Sequence, residues 1–258
     1  MSIELAPGVY TVGEGKPAVF VAPLRAVVLA DLHLGFEEEA ASQGYYVPRI
    51  QLRRSLEILR SVLDETGADW VIFAGDVKHC FSRLLWSERR ELEELFSFLE
   101  KRGVRVTVVR GNHDNYLPIV AKKHGVEIVQ ELYVDGYLVI HGHKKPAGGY
   151  PGPVKAVIMG HEHPSIRLRD RLGYVTKMPC FLTAPYRPLS ATLVVLPAIG
   201  QYQTGTSVTL DPSTYLSPLL REEVDLSRVK PYVLAEDFGV FEFPELGLLE
   251  DLLAEITL

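Results

Sequence analysis

The chain has little cysteine: Cys80 and Cys180 are its only two. Two thiols are too few for a disulfide framework or a four-thiolate zinc site. We therefore expect both to be reduced packing thiols, with a single disulfide between them as the alternative.

Long apolar runs are also lacking, because no stretch reaches the length of about 18 residues that a membrane helix requires. The first residues, MSIELAPGVY, have neither a basic start nor an apolar signal core. These absences predict a cytoplasmic protein that has no membrane partner.

An excess of positive charge is lacking as well, since 27 Lys and Arg face 33 Asp and Glu and give a net charge of −6. A protein that coats nucleic acid electrostatically is usually basic. Any phosphate-bearing substrate must therefore be attracted locally. The length of 258 residues predicts one domain over 1–258, with 201–258 as a C-terminal extension.

Short apolar runs separated by helical patterns are what the chain does have. The predicted buried strands are AVVLA (26–30), WVIFA (70–74), VRVTVV (104–109), YLVI (137–140) and VKAVIM (154–159). Helices are predicted from Pro48 to Thr66 and over 86–102, where the charges from Glu88 to Glu94 are typical of a solvated face. The alternation of strand and helix indicates an α/β layered fold, followed after residue 164 by an antiparallel region with its turn at Gly173.

Polar residues follow each of these strands directly. The groups are Asp31-Leu-His33, Gly75-Asp76, Gly111-Asn112-His113-Asp114, His141-Gly-His143 and Gly160-His161-Glu-His163. Because parallel strands present their carboxyl ends on one side of a sheet, the five groups are expected to converge. Oxygen and nitrogen ligands without sulfur suit two divalent ions rather than structural zinc. Asp76 stands alone at its strand tip and is the candidate for the carboxylate between the ions.

Two such ions would promote hydrolysis of a phosphoester. They would lower the pKa of a water between them and bind the non-bridging phosphoryl oxygens. Their positive charge would attract phosphate despite the net charge of the chain.

The ordered set DLH, GDVKH, GNHD, HGH and GHEH resembles the calcineurin-like metallophosphoesterase superfamily over residues 26–163. The Gly-Asp-x-x-His form and the segments PCFL and LVVLPAIG are more narrowly similar to archaeal phosphoesterases related to the Mre11 and SbcD nucleases, and to bacterial DNA-ligase-associated members. The resemblance implies a four-layer α-β-β-α sandwich of two mixed sheets flanked by helices.

The resemblance also implies which residues bind metal. One ion would be held by Asp31, His33, Asp76 and His163, and the other by Asp76, Asn112, His141 and His161. We expect Mn²⁺, with Fe, Zn, Ni and Mg as alternatives.

Catalytic roles are implied for three further residues. His113 would be the general acid that protonates the leaving oxygen, and Asp114 would orient it. His79 matches a histidine that contacts the phosphate in the nuclease branch, although Lys78 or Arg83 could equally meet that group.

Other polar residues near these motifs are harder to assign. The family pattern uses only the first histidine of HGH, so His143 is a candidate to support a ligand rather than bind an ion. Lys144, Lys145 and the arginines at 167, 169 and 171 could guide a polyanion, but alternation is also typical of an exposed strand face, which we favour.

The sequence therefore favours a dinuclear metal-dependent phosphodiesterase, with a nuclease acting on DNA or RNA as the narrower hypothesis. A phosphomonoesterase or nucleotide hydrolase is the alternative within enzymes, because the metal pair alone does not determine the substrate. A non-catalytic interaction scaffold is the alternative of another class. The oligomeric state is not predicted.

Overall fold

The predicted strands lie at the centre of two mixed sheets in the computed structural model, which describes residues 2–169, 175–203, 205–236 and 238–249. The first sheet comes from the N-terminal half of the chain. Its strands within the described ranges follow chain order: β1 (Glu4–Ala6), β2 (Val9–Thr11), β3 (Val19–Val21), β4 (Ala26–Leu29), β5 (Trp70–Phe73), β6 (Arg105–Val109) and β7 (Glu127–Val129). The pairs from β1 to β4 are antiparallel and those from β4 to β7 are parallel. The ends of β4, β5 and β6 therefore lie side by side.

The second sheet contains the remaining strands. They are β8 (Leu132–Val134), β9 (Tyr137–Ile140), β10 (Ala156–Met159), β11 (Pro164–Arg169), β12 (Val175–Tyr186), β13 (Ala191–Val195), β14 (Thr206–Ser207), β15 (Lys230–Ala235) and β16 (Gly239–Glu242). The spatial order is β14-β11-β12-β13-β10-β9-β8, with β15 paired to β12 and β16 paired to β15. β10 pairs in parallel with β9 and β13. The antiparallel pair predicted after residue 164 is β11 with β12, and Gly173 lies outside the described residues.

The helices are α1 (Phe36–Ser42), α2 (Gln51–Thr66), α3 (Trp86–Lys101), α4 (Pro118–Ala121) and α5 (Pro218–Glu222). The second of these begins three residues after Pro48, where the sequence predicts its start. It ends at Gly67, which has a positive φ of 59° and donates its N–H to the carbonyl of Leu63. A glycine in this conformation is a common helix terminus because it has no Cβ to clash.

Three apolar clusters define the layers. The first packs Leu59 and Val62 of α2 and Leu92 of α3 against Val71 and neighbouring side chains of the first sheet. The second lies between the sheets, where their facing strands supply Val28, Ile72, Ile158 and Val194 among others. The third packs Leu219 and Leu220 of α5 on the outer face of the second sheet. This arrangement confirms the predicted four-layer α-β-β-α sandwich. None of the helices in the described ranges has the length and apolar character needed to cross a membrane.

The charged face predicted for α3 is wrong at Glu88. This side chain is fully buried, and its carboxylate accepts hydrogen bonds from the backbone N–H groups of His79, Cys80 and Leu85. It also lies 3.7 Å from Nζ of Lys78. Buried charges of this kind are retained only when they are paired and hydrogen-bonded. The helix therefore supports the loop after β5 instead of facing solvent at this position.

Candidate metal centre

The polar groups after the strands come together where the two sheets meet. In the first sheet, parallel pairing aligns Leu29, Phe73 and Val108 near the ends of β4, β5 and β6. In the second sheet it aligns Ile140 of β9 with Met159 of β10. The residues that follow these positions are therefore carried to one end of the sandwich.

The backbone at these strand tips adopts an uncommon conformation. Among the described residues, eight that are not glycine have a positive φ. Five of them are predicted ligands, namely Asp31, His33, Asp76, His161 and His163. Such residues cost about 1–3 kcal/mol each and persist where the surroundings fix them, often at functional sites. The strand tips are therefore held in a conformation that their own sequence does not favour.

Two groups of potential ligands contain a carboxylate, and a third consists of His33, His79 and His113. The ligand atoms of Asp31, His33 and His163 lie within 4.8 Å of one another, and so do those of Asp76, His141 and His161. In the first group His163 Nε2 is 3.3 Å from Asp31 Oδ2, and in the second His141 Nε2 is 3.3 Å from Asp76 Oδ2. Each group has the carboxylate and imidazole donors that a borderline divalent ion accepts.

Asp76 lies between the two groups. Its Oδ2 atom faces His141 Nε2 of the second group and is also 3.9 Å from His33 Nε2 of the first. Its other oxygen, Oδ1, accepts a hydrogen bond of 2.9 Å from the backbone N–H of His113. One oxygen is thus fixed by the backbone, and the other is turned to both groups.

Asn112 and the backbone of His161 complete this network. Asn112 Oδ1 lies 3.1 Å from His141 Nε2, so the amide joins the second group. The N–H of His161 donates to Asp31 Oδ2 at 2.9 Å and connects the two groups through the main chain. The structure therefore brings together all seven residues that the family resemblance implies as ligands.

Within the described ranges, several buried polar atoms at this point have no hydrogen-bond partner. They are Asp31 Oδ1, His33 Nε2 and His163 Nε2. Buried polar atoms are almost always paired in native proteins, and an ion is one of the few explanations for exceptions. These unpaired atoms and the donor set fit a pair of divalent metal ions.

Burial and nearby charges shift the pKa values of His141 and Asp76 in the second group. Burial disfavours a charged His141, but the nearby Asp76 and Asp31 raise the pKa of this imidazole to about 9. The same contact acts in the other direction on Asp76: burial opposes its charge, yet His141 lowers the pKa of the carboxyl well below its usual value. His141 Nδ1 donates to the carbonyl of Ala74 at 2.9 Å, which directs Nε2 to the site.

His113 lies at the rim of the first group. Its ring is perpendicular to that of His33, with 5.1 Å between centroids, and is stacked on that of His79 at 5.6 Å. Its Nδ1 is hydrogen-bonded to the carbonyl of His79, which leaves Nε2 for other partners.

Asp114 is fully buried and binds the backbone. Its two oxygens accept hydrogen bonds from the N–H groups of Asp76, Val77, Lys78 and Gly111, at distances of 2.8 to 3.2 Å. Burial, and then the charge of Asp76, raise the pKa of this carboxyl to about 6. Asp114 therefore contacts the backbone of the loops after β5 and β6, while the His113 ring is bound by the carbonyl of His79.

His79 has both ring nitrogens close to protein groups. Nδ1 lies 3.3 Å from His33 Nδ1, and Nε2 lies 3.6 Å from Glu39 Oε2. Burial, the first cause, lowers the pKa of this imidazole. The alternative prediction, that Lys78 contacts the phosphate, is wrong. The Lys78 side chain is fully buried, and its Nζ donates to the carbonyls of Cys80 and His113. Arg83 is exposed in the loop before α3.

His143 stands beside the second group. Its ring centroid is 5.2 Å from that of His141 and 6.1 Å from that of His161. Burial and the neighbouring His141 lower the pKa of His143 to about 4, and its buried Nδ1 has no hydrogen-bond partner among the described residues. The ring lies beside those of two predicted ligands, and its role in supporting them stays a prediction. Arg167 is exposed on β11, while residue 171 lies outside the described ranges.

Two carboxylates near the site have functions that the sequence does not predict. Glu39 contacts His79, and Glu162, between two predicted ligands, accepts hydrogen bonds from the N–H groups of Leu216 and Ser217. For Glu162 the sequence does contain a signal. It stands in a strand-tip motif between two histidines, where a charged side chain has little access to water and needs hydrogen-bond donors from the protein. Glu39 has none, since it is one of three consecutive glutamates at the start of α1.

Comparisons with known proteins agree with this fold. Residues 24–165, more than half of the 258-residue chain, match the family model described as Calcineurin-like phosphoesterase. The chain is also similar to the crystal structure of Pseudomonas putida nuclease MPE, with a TM-score of 0.65 and 22% identity, over 94% of this chain and 99% of that one. Identity at this level shows a common fold alone. No curated protein matches the chain in sequence.

Proposed function

We propose that this chain, which belongs to the calcineurin-like phosphoesterase family, hydrolyses phosphodiester bonds at the site between its two sheets. Membership of the family makes the protein a metal-dependent phosphoesterase. The proposal adds the diester substrate, Mn²⁺ as the metal and the roles of individual residues. The observation that carries it is the position of Asp76 Oδ2, which faces one group of ligands at 3.3 Å and the other at 3.9 Å.

The metal ligands proposed are those of the two groups. Asp31, His33 and His163 would hold one ion, Asn112, His141 and His161 the other, and Asp76 would contact both. When bound, two divalent ions supply an activated water as nucleophile and stabilise negative charge on the phosphoryl oxygens.

The protein's own contribution is to place its donors and to hold protons at defined atoms. In the neutral His141 ring that a metal would bind, the hydrogen bond from Nδ1 to the carbonyl of Ala74 places the single ring proton on Nδ1 and leaves a lone pair on Nε2. The hydrogen bond from His113 N–H to Asp76 Oδ1 keeps the bridging carboxylate from rotating.

His113 is proposed to protonate the leaving oxygen. Because its Nδ1–H is bound to the carbonyl of His79, the second proton of the imidazolium resides on Nε2. Proton donation from such a positioned group accelerates ester cleavage by about 100- to 10,000-fold. Asp114 supports this step by fixing the backbone that carries His113.

A nuclease is the narrower form of the proposal. One support is the similarity in fold to a protein described as a nuclease. Another is Phe81, whose ring is 56% exposed and meets the His113 ring edge-on at 6.0 Å. A half-exposed aromatic ring beside the reacting group offers a surface on which a base can stack.

The test compares small and polymeric substrates with the purified protein. Metal analysis is followed by assays in Mn²⁺, and in Fe²⁺, Zn²⁺, Ni²⁺ and Mg²⁺, with bis-p-nitrophenyl phosphate as the diester and p-nitrophenyl phosphate as the monoester. Single- and double-stranded DNA and RNA form the second panel.

Each outcome selects one function. Preference for the diester with cleavage of a nucleic acid supports a nuclease, whereas cleavage of the small diester alone restricts the activity to other phosphodiesters. Preference for the monoester supports the phosphomonoesterase or nucleotide hydrolase. Failure to bind any of these metals favours the interaction scaffold.

A further inference from the structure

The second ring nitrogen of His33 points away from the candidate metal centre. Nε2 of His33 is the buried, unpartnered atom that faces Asp76 Oδ2, and Nδ1 lies 3.3 Å from His79 Nδ1. A histidine that binds metal through Nε2 carries its proton on Nδ1. With a metal on Nε2, His33 would donate in this contact and His79 Nδ1 would accept.

The protonation of His79 follows from this contact. When Nδ1 accepts a hydrogen bond, the neutral ring carries its proton on Nε2. That nitrogen lies 3.6 Å from Glu39 Oε2. This distance is slightly longer than that of a direct hydrogen bond. Glu39 Oε2 is buried and has no other partner within the described residues.

Neighbouring rings restrict His79 on two sides. Phe36 meets it edge-on with 5.0 Å between centroids, and His113 stacks on it at 5.6 Å. Glu39 is three residues after Phe36 on α1, so the two contacts to His79 come from one turn of the same helix. The ring is held by α1 on one side and by the site on the other.

We infer that Glu39 and His79 are positioning residues, which together fix the orientation and the tautomer of the metal ligand His33. This inference rests on the proposed metal site. It gives His79 a contact with a metal ligand in addition to the phosphate contact that the family resemblance implies. It also assigns a function to the first turn of α1.

The inference is tested by Mn²⁺ binding, measured by titration calorimetry without substrate. Loss of a residue that supports a metal ligand typically weakens metal binding about 10- to 100-fold. We expect H79A and E39A each to weaken one of the two Mn²⁺ sites by about tenfold or more. The double variant should bind no more weakly than H79A, because Glu39 acts through His79. E39Q keeps an acceptor oxygen and should lose less than E39A.

A matched control is E100A. Glu100 pairs with His124 at 3.2 Å, so the variant removes a glutamate–histidine contact elsewhere on the protein. We expect its Mn²⁺ affinity to equal that of the wild type. The visible spectrum of the Co²⁺-loaded protein gives a second measurement, which should change in E39A and stay the same in E100A.

Two results would overturn the inference, and only one of them would also overturn the proposed function. Wild-type Mn²⁺ affinity in E39A and H79A would overturn the positioning role and leave the proposed function intact. Absence of Mn²⁺ binding by the wild type would overturn both. If H79A does not fold, E39A and E39Q decide the matter, because the Glu39 side chain is 27% exposed.

Discussion

Asp76 Oδ2 lies 3.3 Å from Nε2 of His141, although the two residues come from different sheets. The contact exists because the second oxygen of Asp76 is bound by the backbone of His113, so that the carboxylate cannot turn to solvent. The two halves of the candidate site are thus joined at one side chain.

Replacing Asp76 by Asn should weaken metal binding where the two ligand groups meet. The amide has the shape of the carboxylate but lacks the charge that two cations share, so we expect fewer than two Mn²⁺ per chain. Hydrolysis of bis-p-nitrophenyl phosphate should fall by about 100-fold or more, which corresponds to several kcal/mol of lost metal assistance. Metal analysis and steady-state kinetics are the measurements.

The control for this variant is D64N, which removes the charge of an exposed aspartate paired with Arg102. It should keep both metal ions and full activity. Two Mn²⁺ per chain in D76N would contradict the bridging role of Asp76.

Replacing His113 by Ala should reduce the rate and leave metal binding unchanged. A poor leaving group needs a proton, so cleavage of a dinucleotide should fall by about 100- to 10,000-fold. Cleavage of bis-p-nitrophenyl phosphate should fall less, because p-nitrophenolate departs without help. Equal losses with both substrates would argue against proton donation, and H124A serves as the control for loss of a histidine.

Replacing Phe81 by Ala tests the nuclease proposal. If a base stacks on this ring, KM for a single-stranded oligonucleotide should rise by about tenfold or more, since stacking contributes about 1–3 kcal/mol per base. An abasic nucleotide beside the scissile bond should remove the difference between variant and wild type. F241A is the control, because Phe241 is 51% exposed on β16. Equal KM values for F81A and F241A would exclude the stacking contact.

The family and the convergence of the seven candidate ligands could be predicted because the signal is local. Each apolar run ends directly at a polar group, and parallel pairing carries such ends to one side of a sheet. The family model and the two mixed sheets confirm the superfamily and the fold.

The partners of Lys78, Glu88 and Glu39 could not be predicted in this way. Lys78 and Glu88 are buried because α3 packs beside the loop after β5, a tertiary contact that charge patterning along one helix does not encode. Glu39 resembles its neighbours Glu37 and Glu38 in sequence, and only the direction of α1 selects it for His79.

The C-terminal region should stabilise the metal-binding loops. Glu162 accepts hydrogen bonds from Leu216 and Ser217, and Ser217 Oγ donates to the carbonyl of Gly142 at 2.8 Å. In E162A the N–H groups of Leu216 and of the buried Ser217 lose their acceptor, which costs about 2 kcal/mol of unfolding free energy. Urea denaturation measures this loss. The control is E94A, at an exposed position of α3, which should leave the free energy of unfolding unchanged. A wild-type free energy of unfolding in E162A would show that the C-terminal region contributes little to the stability of the loops.

Glu91 should make the stability of the protein depend on pH. Burial, and then the charge of Glu37, raise the pKa of this carboxyl from 4.5 to about 7, while Oε2 accepts a hydrogen bond of 2.9 Å from Gly35. The folded protein thus retains a proton that the unfolded chain releases. The stabilisation is fully present below about pH 4.5 and is lost as the pH rises through about 7.

In E91Q the amide cannot ionise, and its oxygen can still accept from Gly35. We therefore expect E91Q and the wild type to differ little at pH 4.5, and E91Q to be more stable at pH 8 by about 1 kcal/mol, since solvent screens a partly exposed charge. Urea denaturation of both proteins from pH 4.5 to 8 measures the difference in their free energies of unfolding. The titration of all other groups is common to both proteins and cancels in this difference. A difference that stays constant with pH would mean that Glu91 titrates as an ordinary carboxyl.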